Sequence, residues 1–120
     1  MAACDVLGHG DFVVRLVERV PEVEVEVHDH LEYYDELLLH LLMPDLLEAA
    51  VRLFHEGELD VEQRLLWFID LALRQGDAAV RNAVQASFVE NVGAFPGETP
   101  EFISSWPAGL RADLDRTLGT

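Results

Sequence analysis

Only one stretch of this chain alternates apolar and polar residues with a period of two, and no second stretch exists to pair with it. It runs from Pro21 to Glu32, where Val23, Val25 and Val27 are separated by Glu24 and Glu26. A lone strand would leave its backbone donors and acceptors unpaired unless it joined another chain. The same residues also satisfy a helix. Val23, Val27 and Leu31 stand at i, i+4 and i+8, Pro21 suits a first helical turn, and the acids after it favour a helix N-terminus. We read residues 22–31 as helix, with a strand as the alternative.

The rest of the chain is punctuated for helices. Asp11 is a candidate cap for a first helix with Phe12, Leu16 and Val20 on one face, and Pro21 ends or redirects it. Leu38, Leu41 and Leu42 continue to Met43, Leu47, Ala50, Val51 and Phe54, with Pro44 either kinking this helix or starting the next. Gly57 suits a stop, and Asp60 with Gln63 three residues on resembles a capping box. Leu65, Leu66, Ile69, Ala72 and Leu73 give the next helix a broad apolar face. Gly76-Asp77 is a stop followed by a cap, and Val80, Val84 and Phe88 line the helix after it. A last helix starts near Trp106-Pro107 and carries Leu110, Leu114 and Leu118. The expected fold is all-α: one domain over 1–120, a compact bundle or a short α-solenoid-like stack of five to six helices. Residues 1–10 are expected to form a tail and 93–104 a loop.

At 120 residues, half of them hydrophobic, the chain is long enough for one real core. The net charge is −15, with no lysine, and the acid is unevenly placed. Residues 1–60 hold 15 acidic and 3 basic side chains, net −12; residues 61–120 hold 8 and 5, net −3. Such a field disfavours nucleic acid and anionic lipid and steers a basic partner in. Excess acid serving solubility alone is the plainer reading. A single cysteine, Cys4, and a start without a basic or long apolar run give the expectation of a cytoplasmic protein without a secretory signal.

Chemistry-bearing patterns are sparse. His28, His30, Glu32 and His40 are weak metal candidates, because His28, His30 and Glu32 would share a face only on a strand. Cys4 lies near the terminus, and Ser87, Ser104 and Ser105 stand in no nucleophile-elbow pattern. With 23 acids, close carboxylate pairs arise by chance and mark no acid–base couple. We expect no catalytic residues and no cofactor. Residues 18–36 are the most suggestive segment, with eight acids and one Arg interleaved with Tyr33 and Tyr34. Tyrosine beside charge is common at protein interfaces. The expected partner-binding residues are Glu24, Glu26, Asp29, Glu32, Tyr33, Asp35 and Glu36.

The run Glu36-Leu37-Leu38-Leu39-His40-Leu41-Leu42-Met43-Pro44-Asp45-Leu46, then Gly76-Asp77, then Ser87-Phe88-Val89-Glu90-Asn91 resembles, over residues 11–118, a family of small acidic helical bacterial proteins. Its members look like immunity proteins of polymorphic toxin systems. The chain departs from the pattern at Pro44 and in the Val/Glu alternation of 22–27. The resemblance implies an all-α fold, no catalytic residues, and a cytoplasmic protein that binds and neutralises a cognate toxin; the acidic charge, not the resemblance, makes a basic toxin domain the expected partner. The alternative expectation is a homo-oligomeric adaptor, a homodimer joined through the period-two Val segment.

Overall fold

The computed structural model describes residues 7–92 and 97–117. Cys4 and Leu118 lie outside these residues. Seven helices follow one another among the described residues: α1 His9–Arg19, α2 Glu24–Tyr34, α3 Leu39–His55, α4 Leu59–Gln75, α5 Ala78–Val84, α6 Pro100–Ser104 and α7 Ala108–Thr117. The expected all-α bundle is what forms, with more helices than the five to six expected. α4 lies centrally, packed on α1, α3, α5 and α7, and α3 packs on α2, α4 and α5. One core runs through the molecule, from Phe12, Leu16 and Val20 through Leu42, Met43, Leu46 and Leu47 to Leu65, Leu66, Ile69, Phe88, Phe102 and Leu110.

The ambiguous segment is helical. Pro21–Val23 make one 3₁₀ turn that leads straight into α2, so the Val/Glu alternation cannot act as a pairing strand. Val23 and Val27 face inward, but His30 rather than Leu31 completes the buried stripe, and Val25 is exposed. Asp35, at φ 61°, takes the left-handed conformation that Asp tolerates and stops α2.

Several boundaries move for identifiable reasons. Residues 1–10 are not wholly a tail: Leu7 is buried, its N–H donates to the Gln75 carbonyl (2.8 Å) and its carbonyl accepts from Asp77 N–H (2.9 Å). The cap of α1 is Gly8, and Asp11 falls in the first turn, where its charge still favours the helix. Helix α3 runs through Pro44 without a break. Glu58, not Asp60, precedes α4, and Gln63 donates to the Ser105 carbonyl (2.9 Å) instead of closing a capping box. Within 93–104, residues 100–104 are α6. Thr99 caps it by accepting from Phe102 N–H (3.2 Å), Pro100 opens it, and Phe102 is fully buried. Helix α5 continues into one π-helical turn, Gln85–Val89.

Gly76 permits the tight α4–α5 corner. A Cβ there would come within 2.4 Å of the Ala72 carbonyl oxygen and 2.6 Å of Val80 Cγ1. The Asp77 that follows caps α5, accepting from Val80 N–H at 2.9 Å.

Candidate functional site

Helix α2 stands as a ridge between two depressions. On one flank, an acid-lined cleft of about 480 Å³ opens towards α3, formed by Glu26, Asp29, Asp45, Glu48, Ala49 and Arg52. On the other, an apolar groove of about 420 Å³ opens towards α1. The ridge forms because only one face of α2 is apolar enough to bury, leaving Glu24, Asp29 and Glu32 in water.

The expected contact residues do not all point one way. Glu24, Asp29, Glu32, Asp35 and Glu36 are exposed, and Tyr33 is 81% exposed. Glu26 is drawn into the cleft, where Arg52 donates to Oε2 at 2.9 Å and Oε1 is buried without a hydrogen bond. Tyr33 stands edge-on to Tyr34, which in turn contacts His30. Asp45 was not anticipated from sequence. Partial withdrawal from water raises its carboxyl above the ordinary range; nearby His30 opposes this and Glu48 adds to it. Asp45, Glu48 and Arg52 share one face of α3 at i, i+3 and i+7, and the cleft closes only where Glu26 and Asp29 of α2 face them.

The metal candidates are pulled apart. His30 is 3% exposed, and its Nε2 accepts from Leu38 N–H at 3.0 Å. That bond places the ring proton on Nδ1, which is buried without a partner. Burial lowers the His30 pKa, with Asp45 opposing. His28 and Glu32 remain together on the surface at 3.4 Å, and His40 is on α3. Among the described residues no group of three His, Cys, Asp or Glu is placed to hold a metal ion.

His40 instead meets Ser87 and Asn82. Its Nδ1 lies 2.8 Å from Ser87 Oγ, and Asn82 Nδ2 faces its Nε2 at 3.5 Å. The trio ties α3 to α5 and its π turn.

A third surface escaped sequence reasoning. Trp67, 57% exposed, lies in a groove of about 280 Å³ with Arg19, Arg64 and Arg74. Arg64 is held by Glu22 (2.8 Å) and Asp60 (3.2 Å), which raises its pKa, and it also donates to the Arg19 carbonyl. Arg74 is held by Asp70 (2.9 Å). The patch is therefore close to charge-balanced. The spacing Arg64, Trp67, Leu71, Arg74 on one helix was the available signal.

Residues 13–118 match a family described as a domain of unknown function, DUF7674. The chain belongs to the DUF7674 family. No curated protein and no solved structure matches it. The DUF7674 match takes in α2, both depressions beside it and the Trp67 groove. Among the described residues of this DUF7674 chain, no helix is long and apolar enough to cross a membrane.

Proposed function

We propose that this DUF7674 chain is a non-catalytic protein-binding domain that receives a basic partner on the α2 ridge. The observation that carries the reading is the cleft between α2 and α3, where Glu26, Asp29, Asp45 and Glu48 face a single Arg52. Internal pairing offsets one of these charges. Burial, with Glu48 beside it, raises the Asp45 carboxyl, and the remaining acids leave the cleft with an excess of negative charge that a partner's Lys or Arg offsets on binding. The exposed Tyr33 beside the cleft supplies area at small entropy cost.

The finer reading is an immunity protein: a cytoplasmic antagonist that covers a basic surface of a cognate bacterial toxin. It rests on the resemblance described above and on the acidic ridge. The test is affinity capture with the tagged protein at low and high salt, bound proteins being identified by mass spectrometry. A stoichiometric basic partner, released by salt and toxic to cells that lack this protein, is the expected result. Charge reversal by Asp29→Arg and Glu32→Arg weakens that complex by about tenfold or more. Binding unchanged by both reversals removes the ridge as the contact face.

A further inference from the structure

We infer that the groove between α1 and α2 seats one amphipathic helix of the partner, apolar along one side and edged with Lys or Arg. The inference deepens the protein-binding reading and rests on it.

The two helices of this hairpin are held by different neighbours, α1 by α4 and α2 by α3. Between them Val13, Val14, Val17, Val27 and Leu31 line the groove. Of the eight large hydrophobics exposed among the described residues, five belong to this hairpin: Val14, Val25, Leu31, Tyr33 and Tyr34. Val14 is 57% exposed although it lies inside a helix with a fully buried face next to it. Two of the five, Val14 and Leu31, line the groove itself, and apolar surface gathered in one groove marks an interaction site more often than scattered apolar residues do.

The rim selects the occupant. Glu18 stands on the α1 side and Glu24 on the α2 side, and the one basic-capable residue there, His28, is already faced by Glu32 at 3.4 Å. No Arg lines the groove. An apolar strip with basic edges matches this floor and rim; an acidic or neutral strip does not. The walls are helices, whose backbone groups are already bonded, so they offer no edge for an extended peptide. A helix arrives with its own backbone satisfied. Each wall has 11 residues, about 16 Å of helix, which is room for about three turns of a third. A second copy of this chain fits poorly, since both copies carry −15.

The test uses two fluorescein-labelled helical peptides of about 15 residues with the same Leu face, one edged with Arg and one with Glu, read by fluorescence anisotropy. The Arg-edged peptide binds, and the Glu-edged peptide binds at least about tenfold more weakly. Val14→Asp and Leu31→Asp each weaken the Arg-edged peptide by about tenfold or more, with the helical circular dichroism spectrum retained, and Val14→Asp, at a side chain 57% exposed, also keeps its melting temperature. The double variant Glu18→Arg, Glu24→Arg reverses the preference between the peptides. No binding, equal binding of the two peptides, or binding indifferent to Val14→Asp and Leu31→Asp overturns the groove. Arg-edged binding that ignores the groove variants but falls with Asp45→Asn and Glu48→Gln also overturns it, while leaving the α2–α3 cleft and the protein-binding reading standing. Failure of the salt-dependent capture, by contrast, removes that reading itself.

Discussion

At the scale of single residues, four polar or charged side chains are buried among the described residues, His30, Glu62, Asp70 and Asp113, and each acts as a tie between segments. Asp70 accepts from Leu110 N–H (3.0 Å) and from Arg74 Nε (2.9 Å), so a carboxylate on α4 caps the start of α7. Gly109 lies so close that a Cβ would come within 2.3 Å of Asp70 Oδ1. Asp70→Ala loses the cap and strands a backbone N–H, costing about 1–3 kcal/mol, while Asp70→Asn keeps an acceptor and costs less; urea unfolding measures both. Glu62 accepts from Ser105 Oγ at 2.6 Å, and Gln85 reaches Asp113 at 3.4 Å. His30 accepts from Leu38 N–H only while Nε2 is unprotonated. Its folded pKa lies below the ordinary 6.5, so its stabilising contribution is full above that value and is lost as pH falls through the folded pKa. Asp45 works in the opposite sense, because a raised carboxyl pKa lets the folded state gain stability as it takes up its proton on acidification. Melting temperature against pH should therefore decline on the acid side of 6.5 in the wild type and decline less in His30→Leu. Equal slopes in the two proteins would show that His30 is not the group responsible.

At the scale of elements, corners matter more than helix propensity. The α4–α5 junction joins two helices through Gly76 and Asp77 alone, and Leu7 pairs with the backbone on both sides of it. Gly76→Ala places a methyl against backbone that cannot yield, so a loss of about 2 kcal/mol or more in urea unfolding is expected, and Leu7 loses its seat. Helix α2 shows how context resolves an ambiguous pattern. The alternation of Val and Glu suits a strand, but its backbone groups find partners only within a helix, and Pro21 starts the turn that leads into it. Boundaries set by local side chains, such as Gly57, Gly76-Asp77 and the start of α7, were legible in sequence. Helix α6 was hidden inside a Gly- and Pro-rich stretch, although Thr99-Pro100-Glu101 is itself a start signal.

At the scale of the whole molecule, the charge of −15 opposes compaction through self-repulsion. Added salt screens that repulsion, whereas the surface ion pairs it also weakens, such as Arg52–Glu26 and Arg64–Glu22, contribute little because solvent already screens them. Melting temperature should rise between about 10 mM and about 0.5 M sodium chloride, and a fall would mean that the ion pairs outweigh the net repulsion. The sequence by itself determined the all-α class, the inward stripes such as Phe12, Leu16 and Val20, and the concentration of acid in the first half, because periodicity, capping and charge are local properties of the chain. Tertiary structure alone decided that His30 turns inward, that Glu26 is taken by Arg52, that Asp45 joins the cleft, and that Val14 and Trp67 stay in water. Each of these depends on which helices become neighbours, and residues distant in sequence meet only once the core has set those neighbours.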